Sequence, residues 1–574
     1  MTPTTTQPTP PTLTTPTSAL GRLGQSPPLL ALLGAALLWA GWPIHPAPLT
    51  LLLFLGFVPY LRLEQVLTQQ GARRGRVFAM TYLFLVLWNA FTTWWVSYST
   101  LGGGIAAVVL NAALMCLPLM AFRRTKERLG SLIGYLSLPI YWIAFEQLHL
   151  HWDLTWPWLT LGNGFASVPG WVQWYEYTGF LGGSVWVWVV NILLFFALEK
   201  AAAVAWVMRQ PGFSIVNSYG RAPKYWGLFW LWPLLAVVVP IGLSYLQGSV
   251  YQEKGPAAEV LVIQPNIDPY QEKFPENPKF IPREEQLRRL LERTEQNLTP
   301  QTKLVLWPET TLEEALFETS FELQPQIQRI RRELLARHPG LSLLTGVTTI
   351  GRYPDKEHAS PTARYRDDTG YYDVFNTAAF FADATTPAQF YHKSRLVPGV
   401  EKIPPALAGL LANIDLGGIV GSYGSQDERT VFQAPTTPAI RVAPIICYES
   451  IYGDFISQYA KNGANLLGII TNDGWWSDSP GHEQHLVYGA LRAIETRRDV
   501  ARSANTGISG FINQHGDITQ RTGWWVGAAS RATVHLNDEP TFYVRYGELI
   551  GRGAQGLAVL LLLGAVVGPL VRKQ

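Results

Sequence analysis

One of only two cysteines in 574 residues closes an apolar run, Ile440–Ile446, and stands directly before Tyr448 and Glu449 in IRVAPIICYES. If the run is a buried strand, Cys447 lies at its carboxyl end, where ligands and reactive groups collect in α/β sheets. Two other runs also end on ionisable groups. LVLWPET ends on Glu309, and QFYHKSRLVPGVEKIPP places Lys393 after a short aromatic strand, with Glu401 eight residues later. Each has a plain reading alone: a strand-end Glu or Lys is usually solvated, and a buried cysteine is often inert. Together they form an acyl-transfer set. A thiolate attacks a carbonyl carbon after a carboxylate takes its proton. An ammonium holds the oxyanion of the tetrahedral intermediate and helps to lower the thiol pKa. The other cysteine, Cys116, sits in an apolar segment and reads as a small buried hydrophobe.

The elements that must position these groups lie between residues 248 and 554. Short β-branched runs recur there: AEVLVIQPN, KLVLWPE, SLLTGVTTI, DVFNTAAFF, IRVAPIICYE and NLLGIITND. Helical patterns lie between them, near 283–297, 321–337 and 482–500. Strands alternating with helices predict an α/β domain with a largely buried sheet. Two Gly/Pro-bearing loops, 351–372 and 402–429, are candidate lids.

Outside that segment the composition changes. The whole chain is 48% hydrophobic, with 22 Trp and only 15% charged residues, where a soluble protein has about 25%. Apolar segments recur near 28–44, 48–62, 78–98, 104–122, 130–148, 178–198, 225–247 and 555–571, each close to the ~20 residues that span a bilayer. Lys and Arg cluster after alternate segments, which predicts cytoplasmic termini and an outer-side α/β domain. Residues 1–27, rich in Thr and Pro, predict a disordered tail rather than a signal peptide. The expected domains are therefore 1–27, 28–247, 248–554 and 555–574. A net charge of +3 offers no argument for a nucleic-acid partner. HEQH at 482–485 spaces its histidines by three where a helical zinc pair needs four, so no metal is expected. Glu146, at the outer end of a span, reads either as functional or as simply hydrated. The aromatics of WPWL and GWVQWYEY read as a substrate entrance or as an interfacial belt.

LWPET, YHKSRLVP and ICYES resemble the nitrilase (carbon–nitrogen hydrolase) superfamily, with Glu, Lys and Cys in this chain order. VIQPNID (262–268), LVPGVEKIPP (396–405), TNDGWWSDSPGHEQHL (471–486), RAIETRRDVARSANTGISGFI (492–512) and FEQLHLHWDLTWPWLTLGNGF (145–165) resemble its membrane-embedded branch, the apolipoprotein N-acyltransferases. The resemblance implies a multi-span α-helical membrane domain bearing an α/β nitrilase-like α-β-β-α sandwich. It implies transfer of an acyl chain from a phospholipid to the α-amine of a diacylglyceryl-modified apolipoprotein, in the bacterial inner membrane, by a monomer that needs no cofactor. Glu309 would be the general base, Cys447 the thioester-forming nucleophile, and Lys393 the oxyanion holder together with the Tyr448 N–H. Glu401 and Glu449 would support them, and Phe274, Asn472 and Trp475 would bind substrate. The chain departs from the family pattern at PGVE (398–401), which shifts a glycine by one, at Phe274, which stands near a family tryptophan, and at EQLHLHW, which lacks an arginine. A membrane-tethered amidase would use the same triad. A transporter or sensor would need charges along its spans, and these segments carry almost none.

Overall fold

The computed structural model describes residues 24–208, 228–402 and 423–571. Seven helices come first: α1 (Pro27–Ala40), α2 (Val58–Gln69, entered through the tight 3-10 stretch Ala47–Phe54), α3 (Arg74–Thr93), α4 (Leu101–Leu129), α5 (Ser131–His149), α6 (Leu181–Met208) and α7 (Leu228–Val250). Among the described residues, six stretches are long and apolar enough to cross a bilayer: Ala47–Gln69, Arg74–Tyr98, Leu101–Leu129, Leu181–Ala205, Phe229–Val250 and Leu549–Val567. The sequence suggested eight. The two others form helices but not spans of that kind. α1 has 14 residues, about 21 Å at 1.5 Å per residue, against a hydrocarbon core of about 30 Å. α5 ends in Glu146, Gln147 and His149, all buried against protein. α7 and the last helix turn large apolar side chains outward, among them Trp232, Leu246 and Leu560, each more than half exposed. Faces of that size are untenable in water and natural against lipid.

The α/β part packs two sheets face to face. The first has the order β14-β1-β2-β4-β6-β5, with β3 also on β4 and β7 also on β6. Its strands are β1 (Ala257–Gln264), β2 (Thr302–Leu306), β3 (Leu312–Phe317), β4 (Ser342–Tyr353), β5 (Arg364–Arg366), β6 (Gly370–Phe381), β7 (Gln389–His392) and β14 (Ala528–His535). The second runs β13-β12-β11-β10-β9-β8, from β8 (Phe432–Gln433), β9 (Arg441–Ile446), β10 (Leu466–Thr471), β11 (Asp499–Ala504), β12 (Gly510–Ile512) and β13 (Ile518–Thr519). The period-two rule separates two cores. Val260, Val262, Leu304, Leu306, Leu344 and Phe380 face the second sheet and join Val442, Ile445 and Leu467. Their neighbours Leu261, Ile263, Val305, Leu343 and Phe381 face outward. There they meet α8 (Arg283–Asn297) and α9 (Pro325–Ile330) through Leu287, Leu290 and Ile327. On the far side α10 (Gly453–Lys461) and α11 (Pro480–Thr496) cover the second sheet, and α12 (Leu549–Val571) returns to the helical bundle. The result is the expected α-β-β-α sandwich beside a helical membrane domain.

Three local expectations change. The helix expected over 482–500 stops at Thr496; Arg497 turns the chain at φ 50° into β11, whose Asp499 and Arg502 disguise a buried strand. The helix expected over 321–337 is broken at Pro325 into a 3-10 turn, α9 and a π turn, because proline removes an amide donor. The loop expected over 351–372 is partly sheet: β4 and β6 stay paired out to Tyr353 and Tyr371 and β5 lies against β6, while 354–363 and 367–369 are turns and loop. Most of the expected N-terminal tail, residues 1–23, and most of the second candidate lid, 403–422, lie outside the described residues.

Candidate active site

Glu309, Lys393 and Glu401 meet between the sheets. Glu309 follows β2, and its loop is pinned to β4: Gly346 N donates to Pro308 O at 3.0 Å and Thr311 N to Gly346 O at 2.9 Å. Position 346 must be glycine, since a Cβ there would stand 2.6 Å from Glu309 Cα. Lys393 follows β7 and donates its backbone N–H to Asn376 O on β6. Its Nζ lies 3.1 Å from Glu309 Oε1 and 2.8 Å from Glu401 Oε1. Asn376 Nδ2 bridges the same two oxygens at 2.8 and 3.0 Å. The PGVE turn delivers Glu401. Gly399 takes φ 81°, which glycine adopts freely, and Val397 N donates to Glu401 Oε2 at 2.9 Å.

Cys447 begins a 3-10 turn, Cys447–Ile451, at the end of β9. Glu449 ties this turn to the lysine loop. Its Oε2 accepts from Ile446 N at 2.9 Å, and its Oε1 accepts from Ser394 N at 2.7 Å and Tyr391 OH at 2.6 Å. The expected support of Lys393 by Glu449 therefore runs through backbone amides rather than through the ammonium. Asn472 sits beside Glu309: its N–H donates to Glu309 Oε2 at 3.1 Å, an orienting contact where substrate binding was expected. Phe274 and Trp475 are half-buried and stack loosely, ring centroids 6.1 Å apart, with Tyr270 5.3 Å from Trp475. The Tyr270 hydroxyl shares its one hydrogen between Trp475 O at 3.0 Å and Tyr98 O at 3.2 Å, joining this aromatic rim to the 3-10 turn Trp94–Tyr98 that follows α3.

Burial opposes the charge of Lys393, but Glu309 and Glu401 outweigh it and hold its pKa well above the usual lysine value. The thiol behaves otherwise than expected. Burial, then the Glu309 charge, push the Cys447 pKa up; Lys393 pulls it down and loses. Burial is the largest cause, and the one ammonium that opposes it is already shared by two carboxylates. The Cys447 thiol is therefore harder to ionise at rest than a free cysteine.

Several contributors escaped the sequence reading. Asn376 stands mid-strand in DVFNTAAFF, and a polar residue of low β propensity inside an apolar run was the available signal. Tyr391 also escaped notice. Asp473, His485 and Arg502 form a fully buried group: Asp473 lies 2.9 Å from His485 Nδ1 and 2.5 Å from Arg502 Nη2. The two histidines of HEQH part company, His482 stacking on Trp524 with ring centroids 3.7 Å apart while His485 faces Asp473.

The membrane domain docks on the helical side of the second sheet. Trp158 packs against Trp95, Trp476 and Tyr488, and its Nε1 donates to Gln484 Oε1 at 2.6 Å. Trp158 is thus a buried seam residue, not part of an interfacial belt, while half-buried Trp156 stacks toward Tyr448, ring centroids 6.2 Å apart. Glu146 is buried rather than hydrated and accepts from Trp142 Nε1 at 2.9 Å and Leu161 N at 2.8 Å, holding the tryptophan-bearing loop. Cys116 is buried in apolar surroundings as expected.

Residues 263–539 match the family described as carbon-nitrogen hydrolase, so fold and site define an enzyme of that fold class attached to a membrane bundle. Residues 34–193 match the apolipoprotein N-acyltransferase N-terminal domain. An apolipoprotein N-acyltransferase of Chlorobaculum tepidum is 30% identical over 562 residues, 96% of this chain and 98% of that protein. One of Geobacter metallireducens is 26% identical over 79% of this chain and 78% of its own length. The chain belongs to the apolipoprotein N-acyltransferase family. Among solved structures, an amidase from Nesterenkonia sp. is similar over 52% of this chain and 95% of its own, at 14% identity and a TM-score of 0.31, too low to support an argument.

Proposed function

We propose that this protein moves an acyl chain from a phospholipid to the α-amine of a diacylglyceryl-modified apolipoprotein, in two steps through a thioester on Cys447. The observation that carries the reading is the buried Lys393 ammonium, held by Glu309 and Glu401 and acting electrostatically on the Cys447 thiol. In the first step Glu309 takes the thiol proton as sulfur attacks the ester carbonyl. Lys393 and the Tyr448 N–H hold the oxyanion. Collapse breaks the C–O bond, and Glu309 returns the proton to the departing lysophospholipid alkoxide. In the second step the neutral amine attacks the thioester, Glu309 takes a proton from nitrogen, and the thiolate leaves and is reprotonated. An ester and an amine become an amide and an alcohol, which needs no nucleotide. Glu401 and Asn376 keep Lys393 and Glu309 in register. The aromatic rim of Tyr270, Phe274 and Trp475 receives the lipid substrates. The Lys and Arg distribution supports a multi-pass inner-membrane protein, with the sandwich on the outer side and both termini cytoplasmic; the working unit is a monomer.

The test is intact mass spectrometry after incubation with phosphatidylethanolamine, beside Cys447→Ala. One hydroxylamine-labile acyl adduct, absent from the variant and discharged to the amine of a diacylated lipopeptide, is the expected result. No adduct, or discharge to water alone, overturns the reading.

A further inference from the structure

Cys447 is held at φ 49°, a left-handed conformation that side-chain-bearing residues seldom adopt. The Cys447–Tyr448 peptide that follows is trans, so its C=O and N–H point in opposite directions. The carbonyl is gripped from one side: Ser450 Oγ donates to it at 2.8 Å, and His485 Nε2 lies 3.1 Å away. The Tyr448 N–H therefore points to the other side. As one of the first amides of a helical turn, it has no acceptor within that turn.

His485 ends a buried chain of polar groups. Nε2 also lies 2.9 Å from Ser450 Oγ, whose own hydrogen is committed to the Cys447 carbonyl. A carbonyl oxygen only accepts, so the 3.1 Å approach of Nε2 to Cys447 O is favourable when the ring carries its hydrogen there. At Nδ1 the ring faces Asp473 Oδ1 at 2.9 Å and Arg502 Nη2 at 3.2 Å. With Nε2 protonated, a neutral ring accepts at Nδ1 from Arg502 and a protonated ring donates there to Asp473; the remaining tautomer, with its hydrogen on Nδ1 alone, would turn a bare Nε2 lone pair toward the Cys447 carbonyl. Thr471 Oγ1 donates to Asp473 Oδ1 at 2.9 Å, and Arg502 Nε donates to Ile508 O at 3.2 Å. None of His485, Asp473 and Arg502 is measurably exposed. Burying two charges and an imidazole is costly, and apolar packing would stabilise the same space more cheaply. Something other than packing keeps them there.

We propose that His485 is a positioning residue for acyl transfer: by donating to the Cys447 carbonyl it fixes the Cys447–Tyr448 peptide so that the Tyr448 N–H meets the oxyanion. The donated hydrogen bond also polarises that peptide and makes its N–H a better donor. Asp473 and Arg502 fix the ring, and Ser450 is the second grip on the same carbonyl. The proposal rests on the thioester reading above.

Two reactions of the same thiol separate this role from simple support of the fold. Acylation by phospholipid passes through an oxyanion. Alkylation by iodoacetamide does not: sulfur displaces iodide and forms a thioether. In the full-length protein, His485→Ala is expected to slow acyl-enzyme formation at saturating phosphatidylethanolamine by about tenfold to a hundredfold, the range that follows loss of an oxyanion donor, with KM little changed and Cys447 alkylated at close to the wild-type rate. His485→Gln, which restores an N–H near Nε2, is expected to recover most of the acylation rate, and Ser450→Ala to lose part of it. Equal losses of acylation and alkylation in both His485 variants would make His485 a scaffold residue only and overturn the proposal. Wild-type acylation by His485→Ala would overturn it alone, whereas a wild-type protein that forms no adduct would take the thioester reading down with it.

Discussion

At the scale of single residues, charge count decides the chemistry. Burial and the Glu309 charge raise the Cys447 pKa while Glu309 and Glu401 share the one ammonium that opposes them, so the proposed mechanism needs its base during attack. Glu309→Gln is therefore expected to abolish acyl-enzyme formation while shifting the onset of Cys447 alkylation to lower pH, because the Glu309 charge is one of the causes that raise the thiol pKa. A pH series of iodoacetamide labelling checks both halves, and an unshifted onset would contradict the electrostatic account. Lys393→Met leaves two buried carboxylates and no cation. Breaking a buried pair in that way costs about 3–5 kcal/mol, so a clearly lower melting temperature should accompany lost activity, whereas Glu401→Gln keeps one ion pair and should melt closer to wild type.

At the scale of elements, α11 couples two jobs. Gln484 and Tyr488 reach the membrane-arm Trp158, and neighbouring His485 reaches the Cys447 carbonyl. Trp158→Ala empties the seam and leaves Gln484 Oε1 without its donor. A buried Trp→Ala change costs about 3–5 kcal/mol, and here acylation should fall with stability, read from thermal unfolding and adduct formation on the same sample. The Lys402–Asp153 pair joins the PGVE turn to the loop after α5 at 2.5 Å, but both side chains are partly exposed, 34% and 58%. Such rim pairs contribute about 0–1 kcal/mol, so Asp153→Ala should leave the melting temperature nearly unchanged.

At the scale of the molecule, the sandwich and the bundle are one packed body whose stability carries a pH signature. Asp499 on β11 is buried, and burial raises its pKa to about 7. An unfolded chain releases that proton near pH 4. Between those values the folded state retains a proton that the unfolded state has lost, so the contribution is full below about pH 4 and is lost as the pH rises through about 7. Asp499→Asn preserves an acceptor for His535 N, which now donates at 2.7 Å, and should flatten the fall in melting temperature between pH 5 and pH 8. A variant with the wild-type slope would assign that slope elsewhere. The topology is checked at the same scale: a green fluorescent protein fused after Gln574 should fluoresce in the cytoplasm, and a dark fusion would contradict cytoplasmic termini.

Periodicity alone located β1, β2, β4, β6, β9 and β10, because strands buried on both faces read as continuous apolar runs. Strand ends alone marked Glu309, Lys393 and Cys447 as candidates, because reactive groups collect at carboxyl ends. Hydropathy alone separated a lipid-facing part from a water-facing one. Tertiary structure decided the rest. It made β11 a strand despite Asp499 and Arg502, since Asp473, just past the end of the neighbouring strand β10, receives the arginine. It turned Asn472 toward Glu309 and Glu449 toward backbone amides, let burial raise the thiol pKa against the pull of Lys393, and buried His485 beside the Cys447 carbonyl. A linear sequence carries the identity of each charged group and the local period, but a charge is satisfied by partners far along the chain. Only folding determines which partner that is.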